Sequence, residues 1–321
     1  MAVIDRVRVI EPGDLDGAQS VLALRAAGMG DLLAAVPALR ALAEVVPAGP
    51  GPHAPGVRVA APRWLHPLVE LIPGVRGAVG VAGLTPNWLP AGRVVVNLHG
   101  SGPQSHAALL AAQPTAMLAF RSEPVWQAGP KWSDAESERD RWCRLLHSVG
   151  VAGDPRRVEL LRPHVECRVP EALVLHVGAS DEARRWPADR YVEIARALRG
   201  GPVVLTGTAA DVPVAQWVAR EAGLHPRAVL AGRLSLTRLA ALVAQARLVV
   251  STDTGVAHLA SAYRIPSVVV FGPASPTRWA PPAEGPHRVV RAAGDAPAAA
   301  QVPAQAVLDH VTDLLRPAAA A

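Results

Sequence analysis

Short runs of aliphatic and β-branched residues alternate with amphipathic segments along most of the chain. The runs at residues 21–24, 94–98 and 248–250 are almost continuously apolar, which is typical of strands buried on both faces of a parallel sheet. In the segment 134–149 between two such runs, apolar positions instead recur at helical spacing. The alternation predicts an α/β fold built from successive βαβ units.

The strand-and-helix pattern starts twice. Residues 150–170 are rich in proline and glycine and have no long apolar periodicity, and a new apolar run begins at 173–177. We therefore predict two Rossmann-like domains, residues 1–160 and 161–321, that face a central cleft. A final helix is predicted at about 303–316.

The stretch 248–273 is the most informative part of the pattern, since it predicts a strand, a sharp turn, a helix and another strand. The backbone N–H groups at the predicted helix start, those of Thr254, Gly255 and Val256, have no intrahelical partner, and the helix dipole adds partial positive charge there. Gly255 also permits a close approach to the backbone. Such a helix start is suited to a phosphate group.

Asp253 comes directly before this helix, where it could accept hydrogen bonds from sugar hydroxyls. His258 follows Thr254 by four residues and so lies on the same helix face. The alternative is an ordinary βαβ unit in which Asp253 only caps the helix.

A family resemblance favours the ligand-binding interpretation. The order Asp253-Thr254-Gly255-Val256-Ala257-His258-Leu259-Ala260-Ser261-Ala262, followed by Phe271-Gly272-Pro273 and Ser275-Pro276-Thr277, closely resembles the donor-site signature of glycosyltransferase family 9. These are the ADP-heptose heptosyltransferases of lipopolysaccharide core assembly and their relatives. The resemblance covers roughly residues 20–315. It implies the GT-B fold, in which the final helix at about 303–316 is expected to pack back on the N-terminal domain. It also implies an inverting, metal-independent transfer of a sugar from a nucleotide diphosphate.

A second resemblance lies near the N-terminus. Gly28 and Gly30 predict a tight strand-to-helix turn like that of a dinucleotide-binding fingerprint, but the next strand ends in Pro62 instead of an acid. Gly-Met-Gly-Asp-Leu-Leu resembles the family's N-terminal signature, whose aspartate is the proposed general base. The resemblance carries that role to Asp31, for which the alternative is helix capping, and assigns Gly28 and Gly30 to acceptor binding.

The segment 97–120 is also similar to this family, and we expect His99, Ser101 and Ser105 near the acceptor. They follow a strong predicted strand, and ligands of open α/β sheets gather at such carboxyl ends. For His99 a purely structural role is an equal alternative.

Further donor-binding residues are expected in the second half. Arg184 occupies a place where the family commonly has a lysine assigned to the donor diphosphate; arginine keeps the charge, and the alternative is a surface arginine pair. Ser180 follows one predicted strand, and Thr206 and Gly207 end the next, so we place all three near the donor. Asp211 lies close to where relatives often carry an acid that contacts the ribose, and Trp279 could line the sugar pocket.

The composition and charge of the chain limit the classes of ligand and partner that it could bind. The 321 residues carry a formal net charge of +5 and a pI near 10.1, which suits anionic ligands such as nucleotide diphosphates, glycolipids or a membrane surface. No basic run or motif indicates nucleic-acid binding. The two cysteines do not suggest a disulfide framework, and no apolar run is long enough to span a bilayer.

We expect no signal peptide, no metal and no cofactor besides the sugar-nucleotide donor. Asp14 and Asp16 match a D-x-D metal pattern, but they fall in a turn flanked by proline and glycine, so we interpret them as solvated. The expected location is the cytoplasm, with peripheral binding to the inner face of the cytoplasmic membrane as an alternative, and a monomer is favoured.

Three other functions stay open at this point: a sugar-nucleotide epimerase on the same fold, a nicotinamide oxidoreductase, and a non-catalytic sugar-nucleotide binding protein. The donor could also be another nucleotide sugar than ADP-heptose. The acceptor could be a lipopolysaccharide core, another glycoconjugate or a small molecule. No residue identifies the base of the nucleotide.

Overall fold

A computed structural model describes residues 7–16, 18, 20–50, 54–84, 93–294 and 298–316. The chain divides into two compact units, Met1–Leu161 and Arg162–Ala321, next to the predicted division after residue 160. Each unit contains one all-parallel sheet with connecting helices, which confirms the α/β fold class.

The first unit is built on a six-stranded sheet. Its strands are β1 (Arg8–Val9), β2 (Ser20–Leu24), β3 (Gly56–Pro62), β4 (Gly77–Val81), β5 (Val94–Asn97) and β6 (Ala116–Leu118). Its helices are α1 (Met29–Ala34), α2 (Val36–Val45), α3 (His66–Val69), α4 (Gln104–Ala111) and α5 (Glu138–His147). The short strands β1 and β6 have no counterpart in our sequence prediction, since two or three residues give no periodicity.

The strand order β1-β6-β5-β2-β3-β4 reverses direction at β2. From β2 the chain continues through β3 and β4 on one side, whereas β5 and β6 lie on the other. The loops that follow β2 and β5 therefore run in opposite directions, and a crevice opens between them at the carboxyl ends of these two strands. In open parallel sheets this crevice is the usual ligand site.

Pro37 divides the helix after β2, as its position in the sequence predicts. Helix α1 ends at Ala34, and α2 begins at Val36 with Pro37 in its first turn, where no N–H is needed. The apolar face of α2, including Leu39 and Leu42, is fully buried. The break leaves α1 as a short helix whose first turn lies at the crevice.

The second unit has a five-stranded sheet in the order β11-β10-β9-β7-β8. Its strands are β7 (Leu173–His176), β8 (Val203–Thr206), β9 (Leu248–Thr252), β10 (Ser267–Phe271) and β11 (His287–Arg291). Its helices are α6 (Ala188–Ala197), α7 (Val212–Ala222), α8 (Leu236–Ala244), α9 (Gly255–Ala262), α10 (Pro276–Trp279) and α11 (Ala304–Leu315). Here the order reverses at β7, between β8 and β9, so the crevice opens where β7 and β9 end.

The packing of α11 differs from the expectation that the last helix lies on the first domain. Ala304, Val307 and Val311 repeat at helical spacing, and all three are buried in the core of the second unit. They share that core with Val268 and Val270 of β10, so the apolar stripe of α11 covers this unit's own sheet.

Within the described ranges, no helix is long and apolar enough to cross a membrane. The segment after β3 forms a 3₁₀ turn at Arg63–Leu65 followed by the four-residue α3.

Candidate active site

Asp31 lies in the first turn of α1, just beyond the carboxyl end of β2. Its Oδ2 accepts a hydrogen bond from the Gly28 N–H at 3.2 Å, and its Oδ1 lies 3.1 Å from Nη2 of Arg25. Gly30 is its neighbour in the same turn. The Asp31 side chain keeps 37% of its accessible surface, so it is held by two donors and still open to a ligand. A carboxylate that is both oriented and accessible in this way could act as a general base.

Arg25 anchors this carboxylate, although sequence analysis did not select it. It is 1% exposed and follows β2 directly. Its Nε donates to the Asp31 carbonyl at 2.8 Å, and its Nη1 donates to the carbonyl oxygens of Leu98 and His99 at 2.7 Å and 3.1 Å. One guanidinium thus joins the ends of β2 and β5 to the start of α1 at the point where the sheet reverses.

His99 lies beside Asp31 and Arg25 at the end of β5. Burial, and secondarily the charge of Arg25, lowers the pKa of the His99 imidazole, while Asp31 acts in the opposite direction. The ring is therefore neutral at neutral pH. Its Nδ1 is buried and has no hydrogen-bond partner among the described residues. The structure brings together Asp31 and His99, as the sequence predicts.

The two serines assigned to the acceptor differ in position. Ser101 is exposed in the turn after β5. Ser105 is 2% exposed, and its hydroxyl accepts a hydrogen bond from Asn97 Nδ2 at 3.0 Å. Asn97 also contacts His106, whose Nε2 donates to the Phe120 carbonyl at 2.7 Å. Ser105 belongs to a buried network that fixes the loop between β5 and α4, whereas Ser101 is available at the surface.

In the second unit, the end of β9 leads directly into the start of α9. Asp253 is 4% exposed, and Thr254 is the N-cap residue in an extended conformation. The Thr254 hydroxyl does not cap its own helix, and among the described residues it has no partner. Val256 is buried, so only its backbone N–H could serve a ligand. With Gly255, these groups form a cluster of hydrogen-bond donors at the crevice between β7 and β9.

The side chains of Arg184 and His258 flank Asp253. Nη1 of Arg184 lies 3.9 Å from Asp253 Oδ2, and Nε2 of His258 lies 4.0 Å from Asp253 Oδ1. The Arg184 side chain is 36% exposed, which leaves its guanidinium free to reach an anion. The Trp279 ring lies 6.0 Å from the His258 ring and closes this side of the cluster.

The three remaining donor-site predictions fall at the ends of β7 and β8. Ser180 is exposed in the segment that follows β7. Thr206 is 1% exposed, and its hydroxyl lies 3.0 Å from Nδ1 of His176, so it is already engaged inside the protein. Gly207 adjoins Asp211: a Cβ at position 207 would lie 2.7 Å from the Asp211 Cβ.

Asp211 makes more contacts at the ends of β7 and β8 than the sequence indicated. It is 3% exposed, and its Oδ2 accepts hydrogen bonds from both the N–H and the hydroxyl of Thr208, at 2.8 Å and 2.7 Å. Its Oδ1 lies 3.7 Å from Nη1 of Arg185. A Cβ at position 178 would lie 2.5 Å from Oδ2 of Asp211. Position 178, in the turn after β7, therefore requires glycine to leave room for this carboxylate.

His176 gives the second unit a pH-dependent stability. Burial lowers the pKa of His176 to about 4, and Asp211 offsets this only in part. Because the unfolded imidazole titrates near 6.5, the free energy of unfolding should fall as pH drops from about 6.5 towards 4, by about 2–3 kcal/mol at pH 4.5. Above pH 6.5 this contribution is constant.

Urea unfolding at pH 7.5 and pH 4.5 measures the effect. His176→Asn keeps an acceptor for the Thr206 hydroxyl and removes the titrating group, so its loss of stability between the two pH values should be smaller than that of the wild type. The difference isolates His176 from other groups that titrate in acid. Equal losses would show that His176 is not the source.

The described residues contain no group of three or more His, Cys, Asp or Glu side chains arranged to hold a metal ion. Asp14, of the D-x-D pattern, pairs with Arg8 and accepts a hydrogen bond from the Glu11 N–H at 2.7 Å, as expected for a turn.

Comparison with known proteins points to one family. Residues 154–310 match the family model described as glycosyltransferase family 9 (heptosyltransferase). Curated relatives match over a similar length. Lipopolysaccharide heptosyltransferase 2 of Escherichia coli is 34% identical over 114 residues, which is 34% of this chain and 32% of the relative. Lipopolysaccharide heptosyltransferase 1 of Pseudomonas aeruginosa is 40% identical over 110 residues, which is 33% of this chain and 30% of the relative. The match thus spans about a third of the length of these curated relatives.

Solved structures resemble the chain over nearly its whole length. The glycosyl transferase family 9 structure from Veillonella parvula has a TM-score of 0.73 at 18% identity and covers 92% of this chain and 97% of that one. The E. coli ADP-heptose lipopolysaccharide heptosyltransferase II structure has a TM-score of 0.72 at 22% identity and covers 92% and 98%. At these identities the likeness shows the fold, which is the predicted GT-B class. Residues 154–310 of this chain thus form a domain that matches glycosyltransferase family 9.

Proposed function

We propose that this chain is an inverting glycosyltransferase that uses a nucleotide diphosphate sugar, with ADP-heptose as the favoured donor. The observation that carries the proposal is the cluster at the β7/β9 crevice. There, the start of α9, the Arg184 guanidinium and the buried Asp253 lie together in a segment that matches the family model. This combination suits a ligand that presents both a diphosphate and sugar hydroxyls.

The donor would bind in the second unit. The N–H groups of Gly255 and Val256 would bind the diphosphate oxygens, and Arg184 would add a charge-assisted hydrogen bond. As the bond to the sugar breaks, negative charge develops on the leaving diphosphate, and these groups would stabilise it. Their positive charge lets the proposed reaction proceed without a metal. Asp253 would orient the sugar by accepting hydrogen bonds from its hydroxyls.

Asp31 would serve as the general base. It would take the proton of the acceptor hydroxyl while that oxygen forms a bond to C1 of the sugar. The bond between C1 and the diphosphate oxygen would break in the same step, and its electron pair would leave with the diphosphate. Attack opposite the leaving group inverts the configuration at C1. The hydrogen bond from the Gly28 N–H supports this role, since it orients an exposed carboxylate.

The favoured acceptor is a lipopolysaccharide core. Curated relatives that match this chain are named lipopolysaccharide heptosyltransferases, and one similar solved structure, at 19% identity, is of an E. coli heptosyltransferase with ADP. The net charge of +5 suits an anionic glycolipid, and we propose that the protein meets this acceptor at the inner face of the membrane.

Thermal-shift and calorimetric titration with ADP, UDP, GDP, dTDP, ADP-heptose and NAD tests the donor. We expect ADP and ADP-heptose to stabilise the protein selectively. A ligand at 100 times its Kd adds about 2.7 kcal/mol, a readily measured increase in Tm. A transfer assay with ADP-heptose and lipopolysaccharide core should show product, and activity should persist in EDTA.

Each other outcome has a distinct meaning. If the protein prefers UDP or dTDP, the donor carries another sugar than heptose, and the transferase mechanism still stands. Stabilisation by NAD alone would contradict the transferase. Conversion of the donor without an acceptor would identify an epimerase, and binding without any turnover would identify a binding protein. Loss of activity in EDTA that added metal restores would contradict the metal-independent reaction.

A further inference from the structure

The turn that follows β3 carries an exposed aromatic side chain. Strand β3 ends at Pro62, and Arg63–Leu65 form the 3₁₀ turn before α3. Trp64 is 56% exposed, the largest fraction among the exposed large hydrophobic side chains of the described residues, whereas its neighbour Leu65 is fully buried. Among the described residues, the Trp64 ring has no aromatic contact and its Nε1 has no hydrogen bond. The buried leucine thus fixes the turn on the core, and the indole is left at the surface.

Arg63, next to Trp64, places a positive charge at the same turn. Its side chain is exposed, and its guanidinium forms no ion pair or hydrogen bond within the described ranges. A Cβ at position 80 would lie 2.9 Å from Cγ and 3.0 Å from Nε of Arg63, so the arginine stem crosses β4 where Gly80 leaves room for it. The stem is therefore held against the sheet while its charged end can reach an anion.

This turn lies beside the loop that carries the proposed base. Strand β3 pairs with β2 so that Ala60 is opposite Leu24, and the Arg25 N–H donates to the Ala60 carbonyl at 2.9 Å. Neighbouring strands lie about 4.8 Å apart, so the two loops leave the sheet side by side, at the end where ligands of open α/β sheets bind. One exposed tryptophan alone needs no explanation. An indole beside an available guanidinium at this end of the sheet is a surface of defined chemistry.

We propose that Trp64 and Arg63 form an acceptor subsite for an anionic sugar. The apolar face of the sugar ring would pack on the indole, which offers a large and rigid surface. The Arg63 guanidinium would bind a carboxylate or a phosphate on that sugar through two parallel hydrogen bonds. The inference rests on the proposed function, because it extends the acceptor site from Asp31, where the reacting hydroxyl would lie, to the end of β3.

Trp64→Ala and Arg63→Gln test the subsite in a transfer assay with a lipopolysaccharide core acceptor from which the lipid has been removed. Each change should raise KM for this acceptor about tenfold, because each removes one stacked ring or one charge-assisted contact. At saturating acceptor, kcat should stay within about twofold of the wild type, since the contact holds the ground state and the transition state alike. Trp64→Phe should restore part of the affinity, because phenylalanine keeps a smaller aromatic face.

Trp217→Ala and Arg227→Gln are the matched controls. Trp217 is 36% exposed on α7, and Arg227 is exposed in the segment after that helix, so both belong to the second unit. Neither control should change KM for the acceptor. All of these variants alter exposed side chains, so their Tm values should stay close to that of the wild type.

Two modified acceptors identify the anion that Arg63 binds. One has its phosphates removed, and the other has its carboxylates converted to amides. The effect of Arg63→Gln on KM should disappear with the acceptor that lacks the bound group. An effect of the same size with both acceptors would show that the guanidinium binds no anion of the acceptor, and would overturn its role.

An unchanged acceptor KM in both Trp64→Ala and Arg63→Gln would overturn the inference. So would a loss of activity confined to a lipid-bearing acceptor in vesicles of phosphatidylethanolamine and phosphatidylglycerol, since that result assigns the two residues to the membrane surface.

Calorimetric binding of the lipid-free acceptor separates this inference from the proposed function, because it needs no turnover. A wild type that binds the acceptor but transfers no sugar would refute the transferase, and a tenfold weaker Kd in Trp64→Ala and Arg63→Gln would still support the subsite. A wild type that transfers sugar while both variants keep its Kd would refute the subsite alone. A wild type that neither binds nor transfers would refute both.

Discussion

Asp31→Asn is expected to lower kcat by a factor of about 10²–10⁴, the usual contribution of a general base. The asparagine oxygen can still accept the hydrogen bond from the Gly28 N–H, so the turn should keep its shape, but the amide cannot take a proton. The donor-binding groups we assign lie in the second unit, so the Kd of ADP should stay within about twofold of the wild type. Steady-state transfer kinetics and calorimetry measure the two quantities.

Asp154→Asn is a suitable control, because the Asp154 side chain lies in the same unit and is also 37% exposed. It pairs with Arg156 at the surface, away from the β2/β5 crevice, and its substitution should leave kcat unchanged. An Asp31→Asn enzyme that turns over at nearly the wild-type rate would disprove the assignment of the base.

Arg184→Ala should weaken ADP binding about 10- to 100-fold, which corresponds to one charge-assisted hydrogen bond of 1.5–3 kcal/mol. The loss in kcat/KM should be at least as large, because the diphosphate gains charge as the donor bond breaks. The ADP affinity and the kcat/KM of Arg184→Lys should lie between those of the wild type and those of Arg184→Ala, since lysine keeps the charge and loses the bidentate fork. Calorimetry with ADP and initial-rate kinetics give both values.

Arg190→Ala provides the comparison for Arg184. The Arg190 side chain is also 36% exposed and pairs with Glu193 on the outer face of α6. Arg190→Ala should lose little stability, because an exposed ion pair contributes less than about 1 kcal/mol. If the Kd of ADP changed equally in the two variants, Arg184 would have no specific contact with the diphosphate.

The local parts of the fold follow from the sequence. The order of elements in the β9–α9–β10 stretch could be predicted, because a buried apolar strand, an aspartate, a threonine and a glycine each restrict the backbone there in a known way. The break between α1 and α2 follows equally from Pro37. Such features depend on neighbours within a few positions, and those neighbours are visible in one sequence.

Contacts between segments that are distant in the sequence could not be predicted in this way. Arg25 donates hydrogen bonds to the carbonyl oxygens of Leu98 and His99, which follow another strand, and nothing in its sequence neighbourhood marks it as buried. Ser105 and Thr206 were selected as polar residues near strand ends, yet partners on other residues engage both hydroxyls inside the protein. A sequence shows that a polar side chain is present; whether it faces a ligand or the core depends on the packing of the whole unit.

The last helix illustrates the same limit. Its apolar stripe was evident, and its bounds were predicted to within a residue at each end. The stripe does not specify which surface it covers, and the structure places it on β10 of its own unit.

The separation of the two sheets has an evolutionary consequence. The family model recognises residues 154–310, a range that nearly coincides with the second unit, whereas the proposed base and acceptor residues belong to the first. In the mechanism we propose, mutations in the loops after β2 and β5 could therefore change the acceptor while the proposed donor-binding unit is inherited intact. Lineages built on this plan would diversify by remodelling one half, and the sequence similarity that survives among them would be concentrated in the other.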